Sequence, residues 1–184
     1  MGLLSIIWNK LVLKKKEVEF GENLRINGRM FVHGEKGRVV IGKNVTINSS
    51  ECVNPTSGVN HTHLRTEHEG RIKIGNNVGI SHASITSFSL VDIEDNVLIG
   101  SGVKIWDTDF HPLDYDSRII GNREKREPIL IKEGAFIGAC SIILKGVTIG
   151  QHSVVGAGSV VSKSIPDNEI WAGSPAVFIR KLEV

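Results

Sequence analysis

The sequence predicts an all-β chain wound as a parallel β-helix, and three observations carry that prediction. Ile131, Ile137, Ile143, Ile149, Val155 and Val161 recur at a step of six, a period that neither an α-helix nor an amphipathic strand has. Small or flexible residues hold fixed offsets from them: Gly138, Gly150 and Gly156 follow directly, and Ala135, Ser141, Ser153 and Ser159 come four places later. Aromatic residues are scarce at 5% while glycine is frequent at 20 residues, as expected of a thin aliphatic column rather than a broad core. Three six-residue steps close one triangular coil, and each coil buries its apolar face only against the next.

The chain has 184 residues, long enough for one domain and short for two. Residues 1–18 read as an amphipathic helix and residues 19–184 as the β-helix. In the helix, Leu4, Ile7, Trp8 and Leu11 share one face, and Lys14 to Lys16 follow. No acidic residue precedes Glu17, so four positive charges gather here while the remainder carries eighteen bases and twenty acids. The segment is too short to span a bilayer, lacks a small-residue cleavage site, and has Ile6 where an N-acylation motif needs Ser or Thr. Two readings stay open for residues 1–16: a cap across the first coil, or an interfacial helix making peripheral contact with an anionic membrane.

The sixfold step begins at Phe20, Ile26 and Val32 and resumes at Ile41 and Ile47. Residues 53–70 break it with a polar stretch containing Gly and Pro, read as a loop or irregular coil. Ile74 and Ile80 restart the pattern, and after a one-residue slip Ile93, Ile99 and Ile105 continue it. A second break, the charged excursion 106–130, has the length of a functional loop. After Val161, Pro166 and Pro175 end the regular coil, and the chain is expected to turn back as a short strand or helix.

Composition also excludes. A net charge of +2, with no basic and aromatic stripe, argues against nucleic acid. Cys52 and Cys140 lie far apart with no CxxC pair, as in a reduced cytoplasmic protein. Asn44, Asn48 and Asn60 begin N-x-S/T triplets but also suit tight corners, and glycosylation is not supported.

The segment IKEGAFIGACSIILKGVTIGQHSVVGAGSVVSKSIPDNEIWAGSPAVFIR resembles the C-terminal half of the hexapeptide-repeat acyltransferases, most of all the maltose, galactoside and polysaccharide O-acetyltransferase group. The likeness is good over residues 70–184 and loose over 20–70. It implies a left-handed helix, acetyl-CoA as co-substrate, a sugar or glycan acceptor in polysaccharide biosynthesis, and a homotrimer whose sites lie between subunits. Such a reaction needs a base for the hydroxyl proton, and imidazole, with a reference pKa of about 6.5, can take that proton and return it to the leaving thiolate.

His111, in DTDFHPLD, matches the context of the family's catalytic histidine, which also precedes a proline. Asp107 or Asp109 is expected to orient it or bind acceptor hydroxyls. Ser81 or His82 falls where relatives contact acceptor, and Trp106 could wall a sugar ring. For the carrier, the resemblance assigns Ala139 to the thioester arm, Ala157 further along the groove, Ser162 and Lys163 to its distal part, and Arg180 to the phosphates. Departures are Val177 where a basic residue is common, Phe136 where Trp is frequent, and Cys140 beside Ala139.

Rival readings use the same fold. Another acyltransferase would act on an amino sugar, serine or an antibiotic. A zinc hydratase like the γ-carbonic anhydrases would draw on His61, His63, His68, His82 or His111, but the spaced histidine pair of that relative is not found, and no metal is expected. A non-catalytic scaffold is the third. The expected location is cytoplasmic, at the inner membrane face if the helix is interfacial.

Overall fold

The structure, a computed structural model, describes residues 2–56 and 61–183. Helix α1 (Leu3–Lys15) leads into a first coil of β1 (Glu19–Phe20), β2 (Arg25–Gly28) and β3 (Phe31–His33). The second coil is β4 (Val39–Ile41), β5 (Thr46–Ser49) and β6 (His63–Thr66), and the third is β7 (Arg71–Ile74), β8 (Gly79–Ser81) and β9 (Ser84–Ser87). The fourth comprises β10 (Leu90–Ile93), β11 (Leu98–Ile99) and β12 (Lys104–Trp106), after which the excursion carries the short helix α2 (Tyr115–Ile119). The fifth holds β13 (Ile129–Ile131), β14 (Phe136–Ile137) and β15 (Ile142–Leu144), and the sixth β16 (Thr148–Ile149), β17 (Val154–Val155) and β18 (Val160–Val161). A hairpin of β19 (Glu169–Gly173) and β20 (Ala176–Lys181) follows.

Every third strand lies on its predecessor. The first sheet runs β1-β4-β7-β10-β13-β16, the second β2-β5-β8-β11-β14-β17-β19-β20, and the third β3-β6-β9-β12-β15-β18. The coil-to-coil pairs are parallel, and β19–β20 is antiparallel.

The period of six is the register of this stack. Ile41, Ile74, Ile93, Ile131 and Ile149 pair in succession on the first sheet. Ile26, Ile47, Ile80, Ile99, Ile137 and Val155 do so on the second, and Val32, Leu64, Ile85, Ile105, Ile143 and Val161 on the third. All are buried. The small residues form the corners between sheets. A side chain on Gly138 would sit 2.5 Å from the Ala157 amide nitrogen, and the buried Ser141 hydroxyl donates to the Gly156 carbonyl at 3.0 Å. At another corner Asn23, Asn44, Asn77 and Asn96 hold left-handed φ values of 57° to 62°, which Asn tolerates. Their amides chain through bonds of 2.9 to 3.0 Å and end on Glu133. Asn44 of the triplets is thus a corner residue, Asn48 accepts from Asn27 on the second sheet, and Asn60 lies outside the described residues.

Three expectations need correction. Residues 53–70 are not wholly a loop, because His63–Thr66 form β6 and Leu64 is fully buried between Val32 and Ile85. Phe20 pairs with Ile41 yet is 54% exposed, since no coil lies beneath the first. Helix α1 does cap that end, but through Asn9, Val12, Leu13 and the edge of Trp8, while Leu4, Ile7 and Leu11 of the shared face stay exposed. The polar Asn9 is buried, donating to the Gly28 carbonyl at 2.8 Å and accepting from the Met30 amide at 3.0 Å, and the Trp8 indole donates to the Met30 carbonyl at 3.0 Å. The end coil exposes unpaired backbone groups, and satisfying them decides which face turns inward. The C-terminal segment turns back as β20, as expected of a strand.

The column predicts a steep contrast between its interior and the excursion. Ile137→Ala, which empties a site between Ile99 and Val155, should cost about 2–5 kcal/mol in denaturant unfolding, whereas Ile119→Ala on exposed α2 should change stability by no more than about 0.5 kcal/mol.

Candidate functional site

The excursion leaves the corner between the third and first sheets. Asp107, fully buried, begins it: its carboxylate accepts from the Ser87 hydroxyl at 2.8 Å and from the backbone amides of Phe88 and Ser89 at 2.7 and 2.8 Å. These bonds clamp the corner of the coil below, so Asp107 anchors the loop and has no free oxygen for the His111 ring. The chain departs and returns side by side, with Thr108 bridged to Arg126 and the Asp109 amide bonded to the Lys125 carbonyl at 3.1 Å.

A strained turn presents His111. Phe110 has φ +60°, and the His111 amide donates back to the Asp109 carbonyl at 2.7 Å, the i to i+2 bond of the rarer and more strained form of γ-turn. The Phe110 ring holds the turn down by edge contacts with Trp106 at 5.6 Å and Phe88 at 5.8 Å. Arg126 lies over the Phe88 ring at 5.5 Å. On the far side, Arg118 of α2 donates to the carbonyls of Pro112 and Leu113 at 3.0 and 3.1 Å. Asp114 caps the start of α2 by accepting from the Ser117 backbone amide at 2.8 Å, a bond that holds its carboxyl below the usual range. His111 is therefore fixed through its backbone on both sides while its ring is exposed, with no hydrogen-bond partner among the described residues.

Asp109 differs from Asp107. One oxygen pairs with Lys145 at 2.8 Å, and the other, Oδ2, is buried without a partner among the described residues. With Lys145, Asn122, Lys125 and Glu127 it lines a cavity of about 430 Å³ beneath the excursion. Trp106 is half-buried on the outer face of the third sheet, level with Thr86 and Leu144.

The residues expected to hold the carrier lie elsewhere. Ala139 and Ala157 sit at the corner between the second and third sheets, in successive coils joined by the bond from the Gly158 amide to the Ala139 carbonyl at 2.8 Å. Cys140 has φ 62° at this corner where the coils on either side place Gly102 and Gly158, at 76° and 71°, so it occupies a glycine position with its thiol exposed. Ser81 and His82 form the same corner two coils earlier. Ile80 and Ile85 pair with Ile99 and Ile105, so this corner is one residue shorter, and the next, from Ile85 to Ile93, is two longer than the step of six; together they give the slip. His82 turns it at φ 47° with its ring packed inside, 3% exposed and Nδ1 3.0 Å from the Ser101 hydroxyl. Ser81 accepts from Asn48 at 3.3 Å. His82 is thus a buried corner residue rather than one offered to solvent. Ser162 and Lys163 are exposed past β18, at the excursion's corner but two coils on, and Arg180 is exposed on β20.

Six residues from Ser101 to Asp107 span one side of the prism, so the corner of Ala139 and the corner that launches His111 stand about 20 Å apart. Within one chain the expected site is split in two.

The histidine crowd of the second coil is also resolved. His33 and His63 stack at 5.7 Å and His63 stacks on Phe31 at 5.0 Å, while His61 bonds the Ser49 carbonyl at 2.9 Å and His68 packs against Phe88. His33 and His63 are parallel, with His63 Nδ1 3.4 Å from His33 Nε2, while His61 and His68 turn to other partners, and among the described residues no three His, Cys, Asp or Glu side chains gather as a ligand set. Burial, then the neighbouring His33 and His61, pull the His63 pKa below its ordinary 6.5.

Comparison with known proteins agrees with this architecture. Residues 128–163 match the bacterial transferase hexapeptide (six repeats) family. A galactoside O-acetyltransferase of Lactococcus lactis is 37% identical over 115 residues, covering 59% of this chain and 55% of that protein. The solved galactoside acetyltransferase in complex with coenzyme A superposes with TM-score 0.63 at 26% identity, covering 95% of this chain and 69% of that one. AntD, an N-acyltransferase from Bacillus cereus solved with dTDP and coenzyme A, shares the fold at TM-score 0.74 and 24% identity, covering 93% of this chain and 88% of that one. The chain carries the repeat of that family over residues 128–163 and is similar to the galactoside and other sugar O-acetyltransferases. Its fold is the left-handed parallel β-helix of that family. The chain spans about half the length of the curated relatives it matches.

Two measurements check these assignments. Asp107→Ala strands two backbone amides and should lower stability by about 2–4 kcal/mol in denaturant unfolding. Because the His63 pKa is lowered on folding, the unfolded chain takes up more protons below about pH 6.5, so stability is fully present above that value and falls as pH drops through it. The urea midpoint of the wild type should fall more steeply toward pH 5 than that of His63→Gln.

Proposed function

We propose that the protein is an acetyl-CoA-dependent O-acetyltransferase that moves an acetyl group to a hydroxyl of a sugar or glycan precursor. His111 is the general base, and the site is assembled between neighbouring subunits of a cytoplasmic homotrimer. The observation that carries this reading is the separation of the two half-sites. The corner of Ala139 and Ala157 and the turn bearing His111 are built on opposite ends of one prism side, so they complete one site only when a second copy supplies the other half, in a closed ring. Covering the outward apolar residues Leu98, Phe136 and Phe178 of the second sheet and its hairpin is a further reason for such a ring.

The chemistry follows from the groups present. The His111 imidazole takes the acceptor's hydroxyl proton as its oxygen attacks the thioester carbonyl. The tetrahedral intermediate collapses, the carbon–sulfur bond breaks, and the imidazolium returns the proton to the leaving thiolate. The backbone pins on either side of His111 hold the ring in place for both transfers. Asp109 Oδ2, buried and unpartnered, supplies an acceptor for a sugar hydroxyl, and Trp106 offers an apolar wall to the ring. Exposed Lys163 and Arg180 suit the phosphates of the carrier. Ser81 and His82 bear on the acceptor only through the shape of their corner.

The test is thiol release from acetyl-CoA against free and lipid-linked sugars, with the product analysed by mass spectrometry. His111→Ala should lower turnover by about 10²–10⁴-fold with its unfolding midpoint unchanged. Full activity in that variant would reassign the base, and an amide in place of an ester would move the acceptor to an amino sugar.

A further inference from the structure

We propose that the outward face of α1 docks on an anionic lipid bilayer, so that the column stands on the membrane by its first coil. This does not rest on the acetyl-transfer reading. The cap buries Asn9 and packs Val12 and Leu13 on the core, but leaves four hydrophobic residues facing away from the protein: Leu3, Leu4, Ile7 and Leu11 are 72%, 71%, 46% and 61% exposed. At 100° per residue these four occupy one continuous arc on the side opposite Asn9. A soluble helix normally shows water its polar side, and here a continuous apolar arc faces outward as well.

Charge selects the occupant. Lys10 and Lys15 flank the apolar arc and Lys14 closes its C-terminal end, all exposed and without an acidic partner among the described residues, and no acidic side chain occurs before Glu17. A second copy packed face to face would bring these lysines against one another. An anionic headgroup layer over hydrocarbon matches both features, since lysine stems lie along an apolar surface while their ammonium groups reach phosphate. Geometry permits it: the helix closes the end of the prism, contacting β2 and β3, so the rest of the column points away from a surface that meets it. Among the described residues no helix is long and apolar enough to cross a membrane, so the contact is peripheral.

The test is co-sedimentation of the full chain with vesicles of phosphatidylcholine alone or with about 30 mol % phosphatidylglycerol. The proposal predicts binding to the anionic vesicles only. It should weaken at least about tenfold in Leu4→Gln/Leu11→Gln, in Lys10→Gln/Lys14→Gln, and on raising salt from about 0.1 to about 0.5 M, with unfolding midpoints unchanged in both variants because the four side chains are exposed. Absence of binding, equal binding to both vesicles, or binding indifferent to both double variants would overturn it. So would sedimentation equilibrium in which the Leu pair lowers the oligomeric state, since the face would then belong to a second copy.

Discussion

The stacking of one aliphatic side chain per prism face, in register from coil to coil, is the constraint on which everything else depends. A triangular coil of this size has no interior of its own. Ile105 is buried only because Ile85 lies beneath it and Ile143 above, and the same holds along all three sheets. The constraint fixes the strand register, confines variation to corners, and leaves two ends that must be closed by something other than another coil. At one end Asn9 and Trp8 of α1 satisfy backbone groups. At the other the β19–β20 hairpin extends the second sheet and places Trp171 on Val155.

Confining variation to corners is also what gives the fold a site. The excursion is inserted where the third sheet turns into the first, and a loop there costs the column nothing provided its root is held. Asp107 holds the root with three bonds to the corner below, and the aromatic contacts of Phe110 hold the tip. The strain stored in the turn at Phe110 is sustained by that packing. The lone imidazole beyond it is thereby precise in position but unsatisfied among the described residues, while the corner of Ala139 and Ala157 presents small residues and, beside them, only the exposed Cys140 thiol. Each half lacks what the other has.

How much of this was legible in the sequence follows from how local each signal is. The fifth and sixth coils could be read because every face contributes an Ile or Val at the same step. Strand β6 escaped because Leu64 is the lone aliphatic between Val59 and Ile72 in a polar run, and its place is set by Val32 and Ile85, far away in the chain. The slip after Ile80 was visible, but that His82 turns the shortened corner and buries its ring needed the Ser101 partner in the next coil. Asp107 and Asp109 were indistinguishable as letters, and burial alone separates the clamp from the carboxylate with an open oxygen. The hydrophobic pattern of α1 did not show which face a cap turns inward, because periodicity counts apolar side chains and cannot see unpaired backbone groups at a sheet edge.

Cys140 has a conformational account, as a non-glycine residue in a left-handed corner, and no chemical one emerges from its surroundings. The central claim is that two copies of the chain join their half-sites around a thioester. The most direct measurement is a crystal structure of the assembled protein with coenzyme A. The account predicts the His111 ring within about 3–4 Å of the coenzyme sulfur, in a crevice whose other wall is the Ala139 corner of an adjacent subunit. A ring facing bulk solvent, away from every subunit boundary and from the bound thiol, would contradict it.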